Sequence, residues 1–266
     1  MARSGLGRRF AVTEPIRLKA DSLLPDTALV WYPRLRKTHR ATFGITGSAL
    51  IAIIDYKAGN LTSVRLALEY LGLRCEITGD PKRVSAAERV IFPGVGAAGE
   101  AMKNLQELGL IEPIRRAAAS GTPFLGICLG TQVIMEFSEE DGGTQCLGLV
   151  PGSVRGFVPP DPSCKIPHMG WNTVRIKHRP GVAADTLSPH PLFEGIEDES
   201  EFYFVHSYYP APSDPAFVLG ETDYAGVRFA SVIGRANLFA TQFHPERSGR
   251  IGLRLLANFA NWDGKC

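Results

Sequence analysis

Two short segments of this 266-residue chain carry side chains that together can cleave an acyl bond. The first is Gly126-Ile127-Cys128-Leu129-Gly130, a thiol with a glycine two residues away on either side. An apolar run precedes it and a helix-forming run follows, which is the strand–turn–helix setting of a nucleophile elbow. The glycines permit a sharp turn and keep side chains away from the sulfur. A helix start behind Cys128 favours the thiolate, and the Leu129 N–H there is free to donate to an oxyanion. Taken alone, the pentapeptide fits a small buried cysteine in a tight turn equally well. The second segment is Phe243-His244-Pro245-Glu246. His244 has the chemistry to take the thiol proton and return it to a leaving group. In extended chain, Glu246 projects to the same side as His244 and can hold the imidazole tautomer. Pro245 restricts the chain toward that geometry. A lone His-Pro-Glu is otherwise a surface loop. A third segment, Phe92-Pro93-Gly94-Val95-Gly96, ends a predicted strand and offers backbone N–H groups as a second oxyanion donor. In isolation it reads as a plain βα turn.

The elements around these segments alternate in type. The spacing predicts strands over residues 50–54, 74–78, 89–92 (ended by Pro93-Gly94) and 123–127. Helices follow from Leu61, with Val64, Leu68 and Leu71 at helical spacing and Gly72 as the stop, then over residues 98–120 and 129–137. This alternation argues for a mainly parallel sheet covered on both faces. Residues 150–157, 172–176, 202–208, 217–221, 227–233 and 238–242 then read as strands with few helices between them, an antiparallel or mixed extension of the same sheet. An amphipathic helix over residues 249–262 closes the chain. Residues 177–200 are polar and Pro-rich, a surface connection.

The composition is that of a globular enzyme, with 44% hydrophobic and 21% charged residues. No apolar run approaches the ~18 residues of a membrane helix. The net charge of +2 hides a basic first 48 residues, whose balance of +6 leaves the remainder mildly acidic, which argues against a nucleic-acid binder. That first segment lacks periodicity and is read as a poorly ordered or artefactual extension, with one domain over residues 49–266. Five widely spaced cysteines without a CxxC indicate neither a disulfide framework nor a zinc site, and fit a reducing cytoplasm. No metal or cofactor is expected. His39, His178 and His190 fall in polar loops and are read as solvated.

GICLGTQ (126–132) with FHPE (243–246) resembles the class I, or triad, glutamine amidotransferase family. IDYKAGNLTSV (54–64), KIPHMGWN (165–172) and FYFVHSYY (202–209) are similar to its branch of glutaminase subunits of imidazole glycerol phosphate synthase, with PGVGA (93–97) and GLRLLANF (252–259) in family order. The resemblance covers residues 50–263. It implies a three-layer, doubly wound, flavodoxin-like mixed sheet with the elbow after a central strand. It implies a Cys128–His244–Glu246 triad, oxyanion N–H groups at Val95 and Leu129, and Gly96 and Gln132 beside the substrate. It also implies glutamine hydrolysis with ammonia passed to a (β/α)8-barrel cyclase partner in a heterodimer of histidine biosynthesis. His168, Trp171, His206, Tyr208 and Tyr209 are read as loop residues bordering the glutamine pocket or the cyclase interface. Lys57, Thr131 and Arg247 depart from the family pattern, where Gly, Met and Lys are common. The competing readings are an amidotransferase feeding a different synthase, a partner-free cysteine hydrolase, and a non-catalytic interaction protein.

Overall fold

The computed structural model describes residues 42–159, 164–177 and 189–265. Its first half is built from short apolar strands returned by helices: β1 (Ile51–Ile54), α1 (Leu61–Tyr70), β2 (Cys75–Thr78), α2 (Pro81–Ser85), β3 (Arg89–Gly94), α3 (Ala98–Glu107), α4 (Ile111–Ala119), β4 (Phe124–Cys128) and α5 (Leu129–Val133). β1 and β4 are buried along their whole length, as strands covered on both faces must be. The second half adds β5 (Phe137–Ser138), β6 (Thr144–Gln145), β7 (Gly152–Gly156), β8 (His168–Ile176), β9 (Ser200–His206), β10 (Tyr208–Pro212), β11 (Val218–Tyr224), β12 (Val227–Arg235), β13 (Leu238–Thr241) and the closing helix α6 (Gly249–Asn261).

Nine strands form one mixed sheet in the order β2-β1-β3-β4-β13-β12-β11-β8-β9. The β2-to-β13 portion is parallel, and the rest is antiparallel. Alternate side chains feed two cores. Ile91, Leu125 and Phe239 pack with Val64, Leu68, Leu255 and Phe259 of α1 and α6. Phe92, Phe124 and Ala240 pack with Leu105 and Ile114 of α3 and α4 on the opposite face. The result is an α/β fold of three layers. β3, β4 and β13 are neighbours, so their carboxyl ends bring residues 94–96, 128–130 and 242–246 to one place, where open α/β sheets bind ligands.

Several elements differ from the sequence reading. β3 runs through Pro93 to Gly94, because β1 pairs with it only as far as Ile91 and Pro93 keeps its partner Ile127 in β4. The single helix over 98–120 is two helices, broken at Gly109, whose φ of +66° ends the first in a left-handed residue. The helix behind the elbow stops at Val133. β10, β7, β5 and β6 form a separate four-stranded sheet, so the second half is not wholly an extension of the first. The strand expected over 202–208 breaks at Ser207 and supplies both sheets. His168 and Trp171 lie on strand β8, His206 on β9 and Tyr208 and Tyr209 on β10, rather than in loops. His190 is buried, not solvated: its ring accepts from Leu192 N and packs on Phe239 and Trp262. His39 and His178 lie outside the described residues, as do residues 1–41 of the basic segment and residues 178–188 of the 177–200 connection. Packing begins upstream of residue 49. Phe43 and Ile45 are buried in the α6 core, and Asn261 Oδ1 accepts from Thr46 N at 3.0 Å.

Gly130 shows how closely α5 lies on the sheet: a Cβ there would sit 1.8 Å from the Phe92 carbonyl oxygen. Backbone cannot yield as a side-chain tip does, so Gly130→Ala is expected to cost about 3 kcal/mol and lower the thermal midpoint by roughly 6–12 °C. At Gly59 the added carbon would meet only the tip of the exposed Val95 side chain, at 3.0 Å. Gly59→Ala should shift the midpoint by less than about 2 °C, with calorimetry on both variants as the check.

Candidate active site

Cys128 closes β4 with φ 54° and ψ −108°, a conformation that a residue with a side chain rarely adopts. The elbow glycines are required by contact as well as by flexibility. A Cβ on Gly126 would approach Ala240 Cβ to 2.9 Å, and one on Gly130 would enter the β3 backbone. The strained turn sets the sulfur among three groups. Gln242 Nε2 donates to Sγ at 3.7 Å, the thiol is 3.9 Å from the Val205 carbonyl, and His244 lies close enough to feel its charge. Helix α5 has only five residues, so its dipole contributes little to the thiolate beyond the free N–H groups of the first turn.

His244 and Glu246 meet, but not by extended-chain alternation. His244 is extended, whereas residues 245–247 make a 3-10 turn, and this turn brings Glu246 Oε1 to 2.8 Å from His244 Nδ1. Both side chains are buried, at 2% and 0% exposure, and His244 Nε2 has no hydrogen-bond partner among the described residues. Burial opposes the imidazolium. The negative charge on Cys128 and the Glu246 carboxylate outweigh it, so the pKa of His244 is pushed up to about 10. The imidazole is therefore protonated at neutral pH.

The other expected positions converge. Gly94 pairs with Cys128 across β3 and β4, which places Val95 and Gly96 directly beside the elbow. Gly96 has φ +112°, a backbone geometry open to glycine that turns the loop at this point. Gln132 is buried, and its Nε2 donates to the Tyr208 carbonyl at 2.9 Å and to Gln242 Oε1 at 3.1 Å, which leaves its own carbonyl available. Among the described residues, no group of three or more His, Cys, Asp or Glu side chains is arranged to hold a metal ion.

Four residues at the site escaped the sequence reading as functional positions. Asn60 Nδ2 donates to Glu246 Oε1 at 2.6 Å, and its Oδ1 accepts from Arg247 at 3.1 Å, so Arg247 reaches the acid through Asn60. Glu140 accepts from Ala98 N at 2.7 Å and fixes the start of α3 just after Gly96. The Tyr56 hydroxyl is buried against Gly94 without a partner among the described residues, its pKa raised by burial and by the charge of Cys128. Gln242 touches the sulfur itself. Asn60, Glu140 and Tyr56 are brought in from distant parts of the chain, and Gln242, two residues before His244, meets Cys128 only across 114 residues, so spacing carries no signal for these contacts. The three departures also find places. Lys57 adopts φ +66°, which suits the common glycine better, and pairs with Glu107 at 3.6 Å. Thr131 Oγ1 donates to the Thr241 carbonyl at 2.6 Å, tying α5 to β13.

The sequence pattern described as glutamine amidotransferase class-I matches residues 52–261. The chain is 49% identical over 215 residues to imidazole glycerol phosphate synthase subunit HisH of Nitratidesulfovibrio vulgaris strain DP4, covering 79% of this chain and 95% of that protein. It is 50% identical over 220 residues to the protein of the same name from Aromatoleum aromaticum, covering 80% and 98%. Among solved structures, PurLQS from Thermotoga maritima superposes with a TM-score of 0.60 at 19% identity, covering 80% of this chain and 98% of that one. A crystal structure of a glutamine amidotransferase gives 0.57 at 16% identity, with coverage of 80% and 98%. At these identities the superpositions speak for the fold.

The charge on Cys128 sustains the high pKa of His244, so Cys128→Ala should let burial prevail. The His244 pKa is expected to fall from about 10 to near or below the ordinary imidazole value of ~6.5. An NMR titration of the ring in both proteins measures this, and an unchanged pKa would show that the thiolate is not the cause.

Proposed function

This chain belongs to the class-I glutamine amidotransferase family, and from that premise we propose that Cys128, His244 and Glu246 hydrolyse glutamine for imidazole glycerol phosphate synthesis. The observation that carries the reading is the buried Cys128–His244–Glu246 set at the ends of adjacent strands, in a chain about half identical to HisH subunits over nearly their whole length.

The substrate amide carbon lies above Sγ. The sulfur attacks, and the carbonyl oxygen takes its negative charge toward the N–H groups at Val95 and Leu129. His244 Nε2–H gives its proton to the amide nitrogen, the C–N bond breaks, and ammonia leaves behind a γ-glutamyl thioester. The thioester sulfur no longer bears the charge that raised the His244 pKa. Burial then favours the neutral ring, and the acid of the first half becomes the base of the second. It accepts a proton from water, the resulting hydroxide attacks the thioester, and glutamate departs as Sγ regains its charge. Glu246 keeps Nδ1–H aimed at itself throughout, and Asn60 holds Glu246. Gln132 and Gly96 border the substrate.

A cyclase subunit is the partner in this reading, with a (β/α)8-barrel fold and the ammonia as its substrate. The docking face we assign to it carries Met169 and Trp171, which are 63% and 54% exposed although large and apolar. They sit on β8 opposite Val205 and Tyr203, and the Val205 carbonyl touches the Cys128 thiol. A partner seated there would cover the sulfur from the solvent side. A reducing cytoplasm suits a thiol enzyme with four free described cysteines. Among the described residues no helix is long and apolar enough to cross a membrane.

Two measurements test the proposal. Cys128→Ser should lower ammonia release from glutamine, assayed with the cyclase present, by at least about 10⁴-fold. Retained turnover would remove Cys128 as the nucleophile. Trp171→Ala should weaken association with the cyclase by roughly 10- to 100-fold in isothermal titration, and unchanged binding would place the interface elsewhere.

A further inference from the structure

Two buried histidines take no part in the chemistry just described, yet a chain of hydrogen bonds joins them to it. His206 Nδ1 lies 2.8 Å from the Tyr208 carbonyl, and His206 Nε2 lies 3.0 Å from His168 Nδ1. His168 Nε2 lies 3.3 Å from Asn172 Nδ2, whose other hydrogen goes to the Asp223 carbonyl at 3.0 Å. His168 is stacked between Phe204 and Tyr224, and His206 packs between Phe157 and Phe229. Burial in this aromatic box pushes His168 down to about 4 and His206 to about 3, so both rings are neutral at pH 7.

Neutrality leaves only one assignment of the protons. A carbonyl can only accept, so His206 carries its proton on Nδ1 and its Nε2 must accept. His168 must then donate from Nδ1 and accept at Nε2 from the Asn172 amide. The Tyr208 carbonyl also accepts from Gln132 Nε2. Gln132 Nε2 spends its second hydrogen on Gln242 Oε1, which turns the Gln242 amide nitrogen toward Cys128 Sγ. Every bond from Asn172 to the sulfur thus has a defined direction, and no member can rotate without leaving a buried polar atom unpaired.

We propose that His168 and His206 are positioning residues for the Cys128 nucleophile, acting through the Tyr208 carbonyl, Gln132 and Gln242 to fix the N–H that meets the sulfur and the carbonyl that Gln132 offers to the substrate. The outer members of this relay, Asn172 and His168, both lie on β8, His168 one residue before the exposed Met169, so anything that shifts β8 reaches the sulfur through bonds rather than through packing alone. The proposal rests on the glutaminase reading for its substrate, but not for its geometry.

The test uses the full chain labelled with 15N-histidine. Both His168 and His206 should show a protonated Nδ1 and a bare Nε2 at pH 7, and an Nε2–H signal from either ring overturns the relay. His206→Phe keeps an aromatic ring and removes both nitrogens. It should lower the rate of Cys128 alkylation by iodoacetamide at fixed pH by about tenfold, and lower kcat for ammonia release in the complex with the cyclase by a similar factor. Wild-type alkylation in a folded His206→Phe protein overturns the proposal. If that variant does not fold, two changes at position 168 decide. His168→Asn retains a donor where Nδ1–H stood and should stay within about threefold of wild type, whereas His168→Leu should lose about tenfold. Equal rates in the two variants overturn the relay. Failure of the glutaminase reading looks different: the wild-type complex would release no ammonia, while both rings still carried their protons on Nδ1 and His168→Leu still alkylated more slowly than His168→Asn.

Discussion

The contact on which this site depends is between two backbones. Helix α5 begins so close to β3 that Gly130 lies against the Phe92 carbonyl, and on the other side Gly126 lies against the Ala240 methyl of β13. With those distances imposed by three hydrogen-bonded strands, the chain has one way to pass from β4 into α5, and Cys128 is left at positive φ. The strain is local and of order 1–3 kcal/mol. It is held by a sheet whose central strands are fully buried, so the thiol cannot relax into the loop geometry that an exposed turn would permit. Groups at the ends of β3 and β13 are fixed by the same strands, and the placement of the sulfur relative to residues 94–96 and to His244 follows from strand spacing rather than from flexible segments.

Electrostatics then divides the labour among three buried ionisable groups. Cys128 and Glu246 both lie against His244 in a buried site, and each negative charge on them favours the imidazolium that burial opposes. The imidazole state is set by whichever neighbour is charged, so in the proposed reaction its role changes when the sulfur becomes acylated, with no side chain having to move. Asn60 and Arg247 extend this arrangement toward the surface, and they show why a basic residue after Glu246 sits beside the site although it never meets the nucleophile.

Much of this was readable in the linear sequence where the physics is local. The glycines at 126 and 130, the apolar run before Cys128 and the His-Pro-Glu segment each impose a conformation on their own neighbourhood. The elements that failed to declare themselves depend on distant partners. The first half of β8 reads as a loop because Pro167 and Gly170 interrupt the pattern, yet the strand expected over 172–176 extends back to His168 because β9 pairs with it there. Pro93 reads as a stop, yet the ladder on its β4 side survives without its N–H. His168 and His206 read as loop residues at the rim of a pocket, and only the fold reveals that they are buried and that their nitrogens face each other. Gln242 carries no motif of its own and gains its place from being next to Thr241 at the end of β13.

One further property follows from how β9 ends the large sheet. Its outer edge is not left to solvent: Tyr203 O accepts from His244 N at 2.9 Å, and Tyr203 N donates to Ser248 Oγ at 3.0 Å. The turn that carries the base therefore serves as the cover of a sheet edge that would otherwise be a template for pairing with another chain. Loss of that turn would remove the imidazole and expose an adhesive strand in the same event. Selection against aggregation and selection for activity then act on the same few residues, and a chain damaged at this turn would be lost from solution as well as from metabolism.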